Sequence, residues 1–315
     1  MGLRLGFAGT PEFAATILRH LLAAGYRPEL VLTQPDRPAG RGRKLTASPV
    51  KTLALDEGLR VEQPVSLKRA ETVDPLGLAE LDTLIVAAYG LILPQAVLDA
   101  PRAGCLNVHA SLLPRWRGAA PIPWAIASGD AQSGVCLMQM EAGLDTGPVL
   151  ASQATPIESR ETAVELHNRL AQLGGDLLVQ ELGPILAGER DAQMQDDTLA
   201  TYARKLSRDD GRIEWEWPAE DIDRRIRAFN PYPGCVATLG DEPLKLWRSR
   251  LAADVDANDA APGTVLSVDD SGMYVAAGEG VVCVTEVQRP GRGRITPEAL
   301  SRQQALAGER LGDAP

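Results

Sequence analysis

The sequence predicts an α/β protein in two parts: a Rossmann-like, mostly parallel sheet domain followed by a small C-terminal β-barrel domain. Three observations carry this expectation. The opening alternates an apolar run at residues 3–8, a helical stripe of Ile17, Leu18, Leu21 and Leu22, and a second apolar run at 29–33, which makes a β-α-β unit with parallel strands. The Thr-Leu-Ile-Val-Ala-Ala run at 83–88 is continuously apolar, as suits a strand buried on both faces. Beyond about Tyr202 the pattern changes to short strand-length runs punctuated by Gly, Pro and Asp, the signature of a small barrel. A chain of 315 residues also exceeds what one core usually serves. The expected division is 1–188 for the first domain, a polar linker over 189–204, and 205–315 for the second.

In chain order, Thr10 is placed as the N-cap of the first helix, with Pro11 at its first position and Gly25 as its stop. The turn between strand and helix reads Gly6-Phe-Ala-Gly9 and lacks the G-x-G-x-x-G spacing, so dinucleotide binding is disfavoured. Residues 34–44 hold two prolines, two glycines and four cations and are expected as an exposed loop. Such a loop is either a solvated surface or an arm that meets phosphates, with Arg41, Arg43 and Lys44 closest together at its tip. Ser48-Pro49 marks a helix start and residues 60–63 a strand. Tyr89-Gly-Leu-Ile-Leu-Pro94 follows the 83–88 strand as a turn with exposed apolar residues.

Residues 104–118 begin as a strand that Pro114 and Gly118 interrupt. Side chains alternate faces along a strand, so Asn107 and His109 point the same way about 7 Å apart. A helix over 119–128, a strand over 134–140, a glycine-flanked loop carrying Asp145, a strand over 149–154 and a helix over 162–186 complete the first domain. In the second, strands are expected at 212–217, 235–239, 244–251, 264–268, 273–277 and 281–287. A helix over 220–229 and a last helix from Pro297 accompany them.

A formal net charge of −10 argues against a nonspecific nucleic-acid coat, although local basic patches survive screening over about 10 Å. Cys105, Cys136, Cys235 and Cys283 form no C-x-x-C pair, so buried reduced thiols are expected and zinc is not. Without a signal-peptide pattern or an apolar run near about 18 residues, a cytoplasmic protein with no membrane partner follows.

Three histidines are present. His20 and His167 fall in amphipathic helices, where packing explains them, whereas His109 ends a buried strand and is either a satisfied core histidine or a functional one. Asp145, between Gly143 and Gly147, is either a turn-capping residue or a third functional group. Ser111 lies near His109 but lacks the G-x-S-x-G elbow, and Cys105 is about 13 Å away along the strand. Covalent catalysis is therefore disfavoured. The arrangement suits direct acyl transfer to a nucleophile brought by the substrate, with Asn107 and His109 stabilising the oxyanion. Asp145 would orient His109 or accept the amine's proton, and no metal is required.

The segments Asn107-Val-His-Ala-Ser-Leu-Leu-Pro114, Arg115-Trp-Arg-Gly-Ala-Ala-Pro121 and Gly143-Leu-Asp-Thr-Gly147 resemble the folate-dependent formyltransferase family. Similarity extends to Phe7-Ala-Gly-Thr-Pro11, Gln34-Pro-Asp-Arg-Pro-Ala-Gly-Arg-Gly42, Ala88-Tyr-Gly-Leu-Ile-Leu-Pro94 and Ala228-Phe-Asn-Pro231. The basic loop and the second domain resemble the tRNA-directed branch of that family. The resemblance implies formyl transfer from 10-formyltetrahydrofolate, as co-substrate, to the α-amino group of methionyl initiator tRNA in translation initiation. It implies Asn107, His109 and Asp145 as the catalytic set. Ser111, Leu112, Leu113 and Pro114 would bind folate together with Tyr89, Gly90, Leu91 and Ile92. Arg41, Arg43 and Lys44 would enter the tRNA acceptor end, and the second domain, resembling an OB-like oligonucleotide-binding barrel, would lie on the tRNA backbone; separately, a monomer is expected.

Clusters at Arg224-Arg225-Ile-Arg227 and Arg289–Arg294 are candidates for phosphate contact or for solvated faces. Two other readings remain open: a folate enzyme acting on a small amine such as a glycinamide nucleotide or amino sugar, and an inactive nucleic-acid-binding module.

Overall fold

The computed structural model describes residues 2–39 and 44–313. Two compact units emerge. One comprises residues 1–121, 133–155 and 167–203, and the other 122–132, 156–166 and 204–315.

In chain order the strands are β1 (Leu5–Gly9), β2 (Leu30–Leu32), β3 (Arg37–Ala39), β4 (Lys44–Thr46), β5 (Val61–Glu62), β6 (Thr83–Ala87), β7 (Cys105–His109), β8 (Arg117–Gly118), β9 (Gln132–Gln139), β10 (Val149–Pro156) and β11 (Tyr202–Ala203). Seven of them form one sheet in the order β10-β9-β7-β6-β1-β2-β5. Strands β5, β2, β1, β6 and β7 run parallel, and β9 is antiparallel to β7. Every residue of β1, β6 and β7 is buried, as strands covered on both faces of a parallel sheet should be. From β1 the chain winds outward through β2 and β5, then returns to lay β6 on the other flank. The order therefore reverses between β1 and β6, and the crevice beyond the carboxyl ends of such strands is where open α/β sheets bind ligands.

The first helix, Glu12–Ala23, buries Ile17, Leu18 and Leu21 and stops before Gly25, which is left-handed at φ +85°. Its start differs from expectation. Pro11 is the N-cap and no side chain caps the helix; Thr10 instead donates its hydroxyl to the carbonyl of Tyr89 at 2.9 Å. Ser48 caps helix Pro49–Asp56 as predicted, accepting the Lys51 N–H at 3.0 Å. The flanks of the expected 34–44 loop pair as a two-stranded ladder, Arg37↔Thr46 to Ala39↔Lys44. Helix Ala163–Leu186 approaches the sheet closely at Gly174, where a Cβ would lie 3.0 Å from Val108.

The second unit contains β12 (Cys235–Leu239), β13 (Glu242–Leu251), β14 (Val265–Asp269), β15 (Gly272–Ala276), β16 (Val281–Gln288) and β17 (Leu311–Gly312). They form a curled antiparallel sheet in the order β14-β15-β16-β13-β12-β17. Its edges meet, because Val265 N–H donates to Glu309 O at 2.9 Å and Leu311 N–H to Gly263 O at 2.8 Å. These bonds draw the two ends of the curled sheet together, in the manner of a half-closed barrel. The strand expected at 212–217 does not form: Arg212 and Pro218 make isolated bridges, and Trp215 between them is buried in the core. No helix among the described residues is long and apolar enough to cross a membrane.

Candidate active site

Two polar side chains interrupt the apolar strand β7. Asn107 and His109 are 8% and 7% exposed, and burying such groups costs a few kcal/mol unless a partner or ligand satisfies them. His109 Nε2 lies 3.1 Å from the carbonyl oxygen of Trp116. A carbonyl only accepts, so Nε2 carries the hydrogen, and Nδ1 faces Asp145 with Oδ2 3.8 Å away. That gap is too long for a direct hydrogen bond. It admits a nitrogen about 2.8 Å from each group, the ordinary hydrogen-bonding distance.

Asp145 is fixed from behind. Its Oδ2 accepts the Gly118 N–H at 2.7 Å, and its backbone is left-handed at φ +53°, which Asp tolerates. The carbonyls of Asp145 and Gly147 both accept from Gln195 Nε2, at 2.8 and 2.7 Å. Gly147 lies so close to β9 that a Cβ would stand 1.9 Å from Gln139 O. Gly118 has φ +114°, and a Cβ there would meet the Ala203 carbonyl at 2.8 Å. Glycine is required at both positions.

The 115–118 segment is clamped in turn by residues 195–203. Trp116 N–H donates to Thr201 Oγ1 at 2.9 Å, and β8 pairs with β11. Arg117 is 1% exposed; its Nε donates to Gln195 Oε1 at 3.0 Å and its Nη2 to Asp197 Oδ1 at 2.8 Å.

The residues expected at the folate divide by burial. Ser111 is buried and donates to Arg115 O at 2.7 Å, which shapes its own turn, while Leu112, Leu113 and Pro114 are half-buried. In the turn after β6, Gly90 and Ile92 are exposed and Leu91 half-buried. Tyr89 corrects the expectation of an exposed ring. It is buried with Leu93 and Val97, and its hydroxyl, which has no hydrogen-bond partner among the described residues, is pushed up to about 12 by burial. Its carbonyl anchors the turn, accepting from Thr10 and from Gln34 Nε2 at 2.9 Å. Strands β6 and β7 are adjacent and parallel, so the 88–93 turn and the 110–114 segment leave the sheet at the same edge.

Burial pushes the Cys105 and Cys136 thiols up to about 12 and about 11, which keeps both protonated and poorly nucleophilic. Among the described residues no cluster of His, Cys, Asp and Glu is arranged to hold a metal. His20 Nδ1 donates within its helix to Thr16 O and the ring faces Asp176, and His167 packs edge-on against Phe13, so both are structural.

Of the basic residues, Arg41 and Arg43 lie outside the described residues, and Lys44 is exposed on β4. The 224–227 cluster is not a free cationic face: Arg224 pairs with Glu220 and Asp221, Arg225 stacks on Trp217, and Arg227 is buried against Asp223. Arg294 stacks 3.9 Å over Trp247 and pairs with Glu286, and Arg289 pairs with Glu242. Sequence reasoning missed the Trp116 carbonyl, the Gly118 amide, Arg117 and Gln195. The first three sit inside the Arg-Trp-Arg-Gly segment, but Gln195 stands in a polar stretch with no pattern to mark it.

Residues 5–182 match the model of the formyl transferase family, and residues 205–305 match that of the formyl transferase C-terminal domain. A methionyl-tRNA formyltransferase of Pseudomonas fluorescens is 53% identical over 289 residues, 92% of this chain and 89% of the relative. One from Aromatoleum aromaticum is 51% identical over 98% of this chain and 97% of its own. Among solved structures, the sugar 3N-formyl transferase WlaRD, crystallised with dTDP and 5-N-formyl-THF, superposes with a TM-score of 0.65 at 18% identity, covering 92% of this chain and 99% of its own. HypX from Aquifex aeolicus in complex with tetrahydrofolic acid gives 0.64 at 16% identity, over 98% of this chain and 48% of that one. These two share the fold. With both domains matched and half of all residues identical to curated relatives, the chain belongs to the formyltransferase family, in its methionyl-tRNA formyltransferase branch.

Proposed function

We propose that the protein transfers the formyl group of 10-formyltetrahydrofolate to the α-amino group of methionyl initiator tRNA, without a covalent enzyme intermediate. The observation that carries the site is the 3.8 Å gap between His109 Nδ1 and Asp145 Oδ2 beside Asn107, at the carboxyl edge of the parallel strands. An amine nitrogen set in that gap touches both groups. As it attacks the formyl carbon, its new N–C bond forms, the carbonyl oxygen becomes an oxyanion, and the amine turns cationic. The Asn107 amide donates to that oxygen, an interaction worth most in the transition state. Nδ1 of His109 takes the amine's proton, and the Asp145 carboxylate balances the imidazolium that forms. Collapse of the intermediate breaks the bond from carbon to N10, and the proton passes to N10 as tetrahydrofolate leaves. No step in this sequence calls for a metal.

The exposed Ile92 and the half-buried Leu91, Leu112, Leu113 and Pro114, with Tyr89, Gly90 and Ser111 fixing their backbone, supply an apolar wall for the pterin. Arg41, Arg43 and Lys44 are assigned to the phosphates of the tRNA acceptor end. Residues 1–188 act as the catalytic domain and 205–315 as the tRNA-binding barrel, joined through 189–204, in a cytoplasmic monomer.

The test is transfer of labelled formyl from the folate donor to charged initiator tRNA. Transfer to an amino sugar or glycinamide nucleotide, with none to tRNA, would overturn the assignment. So would tRNA binding without turnover.

A further inference from the structure

We infer that Gln195 is a positioning residue for the reaction, holding the Asp145 carboxylate at its working distance from His109. The inference rests on the catalytic reading above. The hydrogen bonds of Gln195 go to Arg117 and to two backbone carbonyls, and its amide joins the two chain segments that grip the catalytic side chains. On one side, both Nε2 hydrogens are used on the carbonyls of Asp145 and Gly147. On the other, Oε1 receives the buried Arg117 Nε. Arg117 stands between Trp116, whose carbonyl holds His109 Nε2, and Gly118, whose amide holds Asp145 Oδ2. One planar amide thus sets the 145–147 turn against the 116–118 segment.

The turn needs such an anchor. It is bounded by Gly143 and Gly147, its Asp145 backbone is left-handed, and its carboxylate accepts a hydrogen bond from the Gly118 amide. Releasing the two carbonyls lets Asp145 drift from a gap that must fit one nitrogen. Misplacement by about 1 Å in a reacting geometry can cost on the order of 100-fold in rate.

The discriminating variant is Gln195→Glu. It keeps side-chain length and an acceptor for Arg117, while replacing both donors with a carboxylate that two carbonyls repel. The expected outcome is a kcat at least tenfold lower, with KM for folate donor and for tRNA within twofold of wild type. In protein labelled at histidine, the ring signals of His109, identified by their loss in His109→Gln, should move while those of His20 and His167 stay. A purely structural residue would lower the melting temperature without selectively moving His109. Should Gln195→Glu not fold, Gln195→Ala carries the same expectations. A kcat within twofold of wild type, a loss confined to KM, or unmoved His109 signals overturns the inference. Asp145→Asn separates the two levels. If it retains wild-type kcat, the catalytic reading itself fails; if it loses kcat while Gln195→Glu does not, the positioning role alone fails.

Discussion

Replacing Asp145 by Asn removes one charge and little else, which makes it the sharpest probe of the site. Asparagine keeps an oxygen that can accept the Gly118 N–H now bonded at 2.7 Å. It also tolerates the left-handed backbone at φ +53°. The fold should therefore survive, with the melting temperature nearly unchanged. What disappears is the attraction between the carboxylate and an imidazolium 3.8 Å away. At an effective dielectric constant near 20, Coulomb's law gives roughly 4 kcal/mol at that distance. The side chains are 7% and 16% exposed, so some solvent screening remains, and about 3 kcal/mol is the working figure. At about 1.4 kcal/mol per decade, kcat should fall on the order of 100-fold. Single-turnover transfer of labelled formyl to charged initiator tRNA, with donor and acceptor both saturating, measures this directly. A kcat within fivefold of wild type in a folded variant would refute the proposed proton transfer.

Asn107→Ala should lower kcat by a hundredfold or more with a smaller effect on KM, because an oxyanion donor acts mainly in the transition state, and steady-state kinetics checks it. Replacing Arg41, Arg43 and Lys44 together by Ala should weaken tRNA binding and make its salt dependence shallower while leaving the folate KM unchanged; unaltered binding across a salt titration would remove these residues from the tRNA site. In the second unit, burial would raise the Glu165 carboxyl, but Arg248 at 2.7 Å and two bonds from Thr162 overcome this and hold it at about 2. A depressed carboxyl stabilises the fold above its ordinary value of 4.5 and loses that contribution as pH falls toward 2. Glu165→Gln should therefore melt earlier than wild type at neutral pH, with the difference closing across that window by calorimetry.

Most of the framework was legible because apolar periodicity is a local property. The buried stripe of Ile17, Leu18 and Leu21, the unbroken β6 run and the Ser48-Pro49 helix start all stand where the sequence puts them. Misreadings occurred where a side chain answers to a distant partner. Thr10 has the chemistry of an N-cap, but a carbonyl 79 residues away takes its hydroxyl. Trp215 lies in a strand-like run, yet its ring fills the core of the second unit and the backbone around it makes bridges, not a ladder. The Arg224–Arg227 cluster looks like a phosphate patch until Glu220, Asp221 and Asp223 are found to bind two of its three guanidiniums.

The sequence by itself determined that Asn107 and His109 share one face of a buried strand, because alternation depends only on the chain's own geometry. It also marked Asp145 as a polar residue in a glycine-bounded turn. Tertiary structure alone decided that Asp145 stands 3.8 Å from Nδ1 and that Nε2 is committed to the Trp116 carbonyl. It likewise decided that the polar stretch expected as a linker supplies Gln195 and Thr201 to hold both active-site loops. Apart from the His109–Trp116 link, which spans 7 residues, those contacts join segments up to 85 residues apart, and local pattern does not encode how they meet.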